Sequence, residues 1–137
     1  KANEMLKEFK LDAYAKKYPK ELSGGMRQRI ALIRTYLFSK DISLLDEPFS
    51  ALDAITKDEM HDWYMNMRRK YNTSTIFITH DVDEAILLSD RIYILGDGSI
   101  KAEIKIETSV RDNSFKLTKE FLEYKKSVID CLESTGI

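Results

Sequence analysis

"ISLLDEPFSALD", residues 42–53, is the stretch of this sequence that most directly indicates its fold. Residues 42–45 are mostly apolar and have the length of a β-strand, which ends abruptly in two acids and a proline at 46–48. A buried strand ends in this way where it emerges at the edge of a sheet. Asp53 then suits the N-cap of a long helix, which we predict over about 54–69.

A second strand of this kind is "TIFITH", residues 75–80, a β-branched apolar run that closes on His80. The following "DVDEAILLS", 81–89, predicts a short helix whose first-turn acids suit the helix dipole. "RIYIL", 91–95, is a third strand, and "GDGS" is a hairpin turn that leads into a returning strand over 100–104. Strands that alternate with helices in this way predict an α/β domain with a mostly parallel sheet flanked by helices.

Polar side chains stand at the ends of two of these strands. Asp46 and Glu47 follow the first strand, and His80 follows the second. Ligand sites in open α/β sheets gather at the carboxyl ends of the strands. We therefore take these three residues as the first candidates for a functional site.

A third informative stretch is "LSGGMRQR", residues 22–29, which precedes an amphipathic helix reaching about Phe38. Ser23 is a good N-cap for that helix, and two glycines follow it directly. Backbone N–H groups at a helix start carry positive partial charge, and glycine lets a phosphate approach without a Cβ in the way. The turn therefore suits anion binding.

Composition gives no indication of a nucleic-acid partner or of a membrane-spanning segment. The chain has 22 basic and 23 acidic residues, and a formal net charge of −1 offers no electrostatic argument for nucleic acid or an anionic membrane. A single cysteine, Cys131, cannot form an internal disulfide, which suits a reducing compartment. No apolar run approaches the roughly 20 residues that a membrane-spanning helix needs.

The order of these motifs resembles the C-terminal portion of ATP-binding cassette (ABC) ATPases, the motor subunits of ABC transporters. The resemblance covers about Lys16 to Ile104, and it rests on "LSGGMRQR", "DEPFSALD" and "THDVDEA". Among the family, the wording is most similar to bacterial importers of the nitrate, sulfonate and taurine type. It implies a partial P-loop NTPase fold.

The resemblance also implies roles for individual residues. Ser23, Gly24, Gly25 and Met26 would form the signature motif, which reaches the γ-phosphate of ATP held by a second subunit in a head-to-tail dimer; Met26 replaces the family's more general glutamine. Asp46 would hold the water shell of Mg²⁺, and Glu47 would be the general base. Asp53 would communicate between the two sites, and His80 would be the switch histidine.

Other polar residues receive simpler interpretations. His61 lies in mid-helix between acidic neighbours, so we expect it on the surface. Asp81 and Asp83 are expected to act as first-turn helix acids and not as metal ligands.

The phosphate-binding loop of such ATPases, G-x-x-x-x-G-K-[ST], is absent from this sequence. The five glycines stand at 24, 25, 96, 98 and 136, and none is followed by Lys-Ser or Lys-Thr. We therefore expect a C-terminal fragment that is inactive alone and that oligomerises through unpaired strand edges.

On this interpretation the chain has three parts: the end of the helical signature subdomain (1–38), the C-terminal half of the ATPase core (39–107) and a helical tail (108–137). The intact protein would hydrolyse Mg-ATP on the cytoplasmic face of the membrane. Its partners would be permease subunits and, indirectly, a solute-binding protein. The alternatives are a soluble ABC-class ATPase of repair or translation, and a non-catalytic interaction module.

Overall fold

The computed structural model describes residues 1–39, 41–109 and 111–136. The chain divides into two compact units, Lys1–Ile78 and Thr79–Ile137, and each is described here by itself. The boundary lies within the predicted strand run 75–80, directly after the last residue of the observed strand, Ile78. It separates His80 from the other candidate site residues.

The first unit contains three helices and two strands. The helices are α1 (Ala2–Glu8), α2 (Gly24–Phe38) and α3 (Ala54–Tyr71), the strands are β1 (Ile42–Asp46) and β2 (Ser74–Ile78), and short 3₁₀ turns cover Asp12–Tyr14 and Pro19–Glu21. The two long helices and both strands occur where the sequence predicts them. Asn72, in the left-handed conformation, ends α3.

The core of this unit lies between α2, α3 and the loop that follows β1. Buried side chains from the two helices are Leu32, Ile33, Tyr36, Met60, Tyr64 and Met67. Phe49, in the loop, is 1% exposed and meets the Tyr64 ring edge-on at a centroid distance of 5.8 Å. Burial of an aromatic side chain of this size contributes about 1.5–3 kcal/mol, so Phe49 fixes the loop against α3.

His61 is buried, and the expectation of a surface position was wrong. Its side chain is 1% exposed and packs edge-on against Phe49, with ring centroids 5.0 Å apart. The residue follows the fully buried Met60 and lies one turn before Tyr64, on the side of α3 that faces the loop. The acidic residues near His61 in the sequence lie on other sides of α3, so they do not indicate whether the side that carries His61 is exposed.

Strands β1 and β2 form a parallel pair in which Leu44 aligns with Ile76 and Asp46 with Ile78. One face of this pair is open: exposed fractions are 55% for Ile42, 73% for Leu44 and 59% for both Ile76 and Ile78. The expectation of a buried strand therefore holds for one face only. On the other face Ser43 is buried, and its hydroxyl donates to the Ser39 hydroxyl at 2.9 Å.

The second unit contains helices α4 (Val82–Leu88) and α5 (Lys119–Ser134), strands β3 (Arg91–Gly96) and β4 (Ser99–Lys105), and a 3₁₀ turn over Asn113–Leu117. The strands form an antiparallel hairpin. Its two-residue turn, Asp97 and Gly98, has φ values of 48° and 72°, as a type I′ turn requires. This confirms the hairpin predicted from "GDGS". Among the described residues, the two strand pairs form separate sheets.

The tail packs within the second unit. The Lys125 ammonium contacts the Asp83 carboxylate on α4 at 2.7 Å, and Phe121 meets Phe115 edge-on at 5.4 Å. Arg111 is buried and donates to the Ser89 carbonyl and the Asp90 carboxylate. These contacts hold the connection between β4 and α5 against the end of α4. In the described ranges, no helix is both apolar enough and long enough to cross a bilayer.

Candidate functional site

The start of α2 is an exposed helix N-terminus. The Ser23 hydroxyl accepts a hydrogen bond from the Met26 N–H at 3.2 Å, which confirms the predicted N-cap. Ser23 and Gly24 are both exposed. The N–H groups of the first helical turn have no acceptor inside the helix, so those of Gly24 and Gly25 remain suited to an anion.

The two glycines of this turn have different surroundings. A Cβ on Gly25 would lie 3.0 Å from the Thr56 methyl carbon, whereas a Cβ on Gly24 would meet nothing closer than Leu52 Cδ2 at 3.9 Å. Gly25 therefore allows α2 to approach the start of α3. Gly24 has a more open environment, where an added Cβ would meet no close neighbour.

The start of α3 lies beside the start of α2, since Gly25 contacts Thr56. The Asp53 carboxylate accepts from the Thr56 N–H at 3.1 Å and from the Thr56 hydroxyl at 2.6 Å, which confirms its N-cap role. Both bonds lower the pKa of Asp53 below its ordinary value, and the bond from the Thr56 hydroxyl has the larger effect. Two exposed helix starts thus share one surface, where their dipoles favour negative charge.

Sequence reasoning missed the residues that connect α2 to its surroundings. The Gln28 side-chain amide donates to the Pro48 carbonyl, directly after the Asp46–Glu47 pair. One residue further on, the Arg29 guanidinium donates to the Met60 sulfur at 3.3 Å. The spacing from Gly25 to Gln28 and Arg29 is that of one helix face, but their partners are distant in sequence and leave no local pattern.

Met26 is directed toward a different environment. With Phe9, Leu11, Tyr14 and Trp63, among other residues, it lines a cavity of about 380 Å³. The Phe9 and Trp63 rings meet edge-on at 5.0 Å, which makes this cavity partly aromatic. Met26 therefore contributes its backbone N–H to the Ser23 cap and its side chain to a separate cavity.

Glu47 has an unusual backbone conformation at the end of β1. Its φ is +44°, a left-handed value that costs a non-glycine residue roughly 1–2 kcal/mol. The Glu47 N–H donates to the Ile78 carbonyl at 2.8 Å, and its carbonyl accepts from the Ser50 N–H and hydroxyl at 3.3 and 3.1 Å. Strained residues of this kind cluster at functional sites. The half-buried Glu47 follows the exposed Asp46 immediately.

The second unit carries His80. Its side chain is exposed, and it precedes α4, whose N-cap is Asp81. The Asp81 carboxylate accepts from the N–H groups of Asp83 and Glu84 at 3.0 and 3.2 Å, so Asp81 caps the helix and precedes its first turn, whereas Asp83 lies in the first turn as predicted. Because His80 and the other candidates belong to different units, the structure gives them no joint geometry.

The residues that could hold a magnesium ion are few. Residues 1–39, 41–109 and 111–136 contain no cluster of three or more His, Cys, Asp or Glu side chains placed to bind a metal. Mg²⁺ keeps most of its waters and needs only one or two carboxylates when phosphates supply the remaining ligands. The exposed carboxylate of Asp46 fits that limited role.

Structural comparison first defines the class. The chain is similar to an ATP-binding cassette of an ABC transporter in its ADP conformation, with a TM-score of 0.68 and 23% identity, covering 77% of this chain and 41% of the other. This likeness shows the fold of ABC ATPase domains, which is of the P-loop NTPase type. It confirms the predicted α/β class.

Sequence comparison then defines the family. The profile described as "ABC transporter" matches residues 1–50. The Bacillus cereus aliphatic sulfonates import ATP-binding protein SsuB is 40% identical over all 137 residues and 55% of its own length. The sulfate/thiosulfate import ATP-binding protein CysA of that species is 45% identical over 101 residues, 74% of this chain and 28% of its own. The chain belongs to the ABC transporter ATPase family. It spans about half the length of the sulfonate relative, 55%, and 28% of the length of the sulfate/thiosulfate relative.

The different environments of the two glycines predict different effects of alanine. Gly24→Ala should raise the free energy of unfolding by up to about 1 kcal/mol, because alanine favours helix and meets no close neighbour. Gly25→Ala should raise the free energy of unfolding by less than Gly24→Ala does, or lower it. The reason is that the Thr56 methyl must move while the Thr56 hydroxyl is held by Asp53. Urea denaturation measures both. Thr56→Ser, which removes only the methyl, should restore the gain in Gly25→Ala, and equal effects at both glycines would contradict the packing.

The lowered pKa of Asp53 predicts a pH-dependent contribution to stability. The ionised carboxylate stabilises the fold above its ordinary pKa of 3.8, and this contribution is lost as the pH falls through the lower pKa of the folded state. Asp53→Asn should therefore be less stable than the unmodified chain at pH 7, and the difference should shrink below about pH 4. Urea titrations from pH 7 to 3 test this, with the exposed Asp62→Asn as control. A difference independent of pH would refute it.

Proposed function

We propose that this chain is the C-terminal part of the ATP-binding subunit of an ABC importer, in which ATP hydrolysis is coupled to solute import. The observation that carries the proposal is the pair of adjacent, exposed helix starts at Ser23 and Asp53, held together by Gly25 against Thr56. The 40% identity to an importer subunit along the whole chain supports the same assignment.

The signature residues would act on a nucleotide held by a second subunit. The N–H groups of Gly24 and Gly25 would donate to the γ-phosphate in a head-to-tail dimer, with Ser23 capping the helix and Met26 donating to that cap. A hydrogen bond to a charged group contributes about 1.5–3 kcal/mol, so a few such bonds would make closure of the dimer depend on ATP. Asp53, on the same surface, would report closure to the other site.

The residues at the strand ends would carry the hydrolysis. When it is bound with ATP, Mg²⁺ neutralises part of the negative charge of the phosphates. Asp46 would hold its water shell. Glu47 would accept the proton of the attacking water. Its N–H donates to the Ile78 carbonyl and its carbonyl accepts from Ser50, and these bonds would hold the backbone from which the carboxylate projects. His80 would contact the γ-phosphate and help to hold that water.

The remaining parts of such a site must come from residues outside this sequence. None of the five glycines belongs to a phosphate-binding loop, so no segment here supplies the backbone cradle and the lysine. The chain alone should therefore neither bind nor hydrolyse ATP. In the intact protein we place it on the cytoplasmic face of the membrane, with permease subunits and, through them, a solute-binding protein as partners.

The proposal is tested first by calorimetric titration of the 137-residue chain with Mg-ATP, where we expect no detectable heat. The chain is then joined in frame to the part of the Bacillus cereus sulfonate relative that it does not match, and ATP turnover is measured. Glu47→Gln should lower kcat about 10²-fold or more with nucleotide binding retained. The exposed Glu133→Gln is the matched control.

Two results would overturn the assignment. Micromolar binding of Mg-ATP by the 137-residue chain would mean that a phosphate cradle exists within it. Unchanged turnover in the Glu47→Gln hybrid would remove the general base from this position. A hybrid that folds, binds no nucleotide and shows no turnover would instead favour a non-catalytic interaction module.

We further propose that the isolated chain associates with copies of itself through its strand edges. Each of β1 and β2 pairs with one strand in the part of the chain that the structure describes, so each has an outer edge available. The apolar side chains of Leu44 and Ile76 are 73% and 59% exposed beside these edges. Exposed apolar side chains beside an open strand edge favour pairing with another chain.

Light scattering between low and high protein concentration tests the association. The unmodified chain should rise in mass with concentration. The double variant Leu44→Lys/Ile76→Lys should remain monomeric, because lysine opposes edge pairing and neither side chain is buried. Leu117→Lys, at an 88% exposed position of the second unit, is the control. A monomeric unmodified chain at high concentration would contradict the proposal.

A further inference from the structure

A chain of hydrogen bonds encloses His80 on both sides. The Thr79 hydroxyl donates to the Glu84 carboxylate at 2.7 Å. The same hydroxyl oxygen accepts from the Asp81 N–H at 3.0 Å. The residues directly before and after the histidine are thus tied to one another, and both are tied to a side chain one helical turn further on.

The carboxylate at the end of this chain is buried. Glu84 is 2% exposed, whereas first-turn acids that serve only the helix dipole are normally at the surface. Burial of a carboxylate is costly unless hydrogen bonds compensate it. The bond from Thr79 is such a bond, so the position of Glu84 and the position of the Thr79 hydroxyl depend on each other.

The hydrogen bonds at the start of α4 form an extended version of a capping box. In a capping box, the acid at the third helical position accepts directly from the N–H of the N-cap residue. Here the N-cap is Asp81 and the acid is Glu84, but the Thr79 hydroxyl stands between them. The helix start is therefore locked to the residue that precedes the histidine, and a simple capping box would not do this.

We infer that Glu84 and Thr79 are positioning residues for His80: the buried carboxylate orients the Thr79 hydroxyl, which fixes the backbone on both sides of the histidine. This rests on the proposed function of His80. Both residues would act through the histidine. A hydroxyl is required at position 79, because only a hydroxyl donates to the carboxylate and accepts from the Asp81 N–H at once.

The first test needs only the 137-residue chain. Amide hydrogen exchange at Asp81 is compared with exchange at Val128, a buried residue of α5, so that global destabilisation is separated from local opening. Thr79→Val should raise exchange at Asp81 about tenfold or more relative to Val128 and shift the His80 ring resonances. Thr79→Ser should restore both, since it returns the hydroxyl. Glu123→Gln on the same unit is the control.

A second variant keeps the test decisive if Thr79→Val does not fold. Glu84→Gln retains the volume and an acceptor oxygen but loses the charge, and bonds to charged acceptors are about twice as strong. Exchange at Asp81 should rise in this variant as well, although less than in Thr79→Val. Unchanged exchange at Asp81 and unchanged His80 resonances in the folded variants would overturn the inference.

The second test uses the hybrid ATPase described above. Thr79→Val should lower kcat about tenfold or more with KM little changed, because misplacement of a catalytic group slows the chemical step. Thr79→Ser should recover most of the rate. His80→Ala separates the two proposals. If His80→Ala leaves turnover intact, the proposed role of the histidine fails; if it abolishes turnover while Thr79→Val leaves kcat intact, only the positioning role fails.

Discussion

The close approach of α2 to α3 at Gly25 is the constraint on which the first unit depends. With no Cβ at that position, the Thr56 methyl can pack against the helix backbone. This contact brings the capped helix starts of Ser23 and Asp53 onto one surface. It also brings Gln28 within reach of the Pro48 carbonyl, so the signature helix is attached to the turn that carries Glu47. One small residue thereby connects two motifs that lie about thirty positions apart.

The chemistry proposed for this chain is positioned by short backbone turns. At Glu47, a strained left-handed residue is held by Ile78 and Ser50. At His80, an extended capping arrangement holds the residues on either side. Both turns follow a strand directly, where the chain leaves the sheet and its backbone groups need new partners. Hydrogen bonds made there satisfy backbone groups and fix the course of the chain at the residues that carry the proposed chemistry.

The open face of the β1–β2 pair is an apolar surface, unlike the polar turns at Glu47 and His80. Leu44 and Ile76 point away from the helices that bury Ser43 and its neighbours. The exposed side chains of this face are aligned in the parallel pair, and they are the basis of the self-association proposed above.

The sequence by itself determined the helix caps at Ser23 and Asp53 and the hairpin turn at Asp97, because each depends on interactions within about four residues. It also placed the candidate site residues at the ends of strands, since strand length and breakers are local. Tertiary structure alone decided the burial of His61 and Glu84 and the exposure of Leu44. Periodicity indicates which residues share a face, but whether that face is covered depends on segments that are distant in sequence or lie outside it.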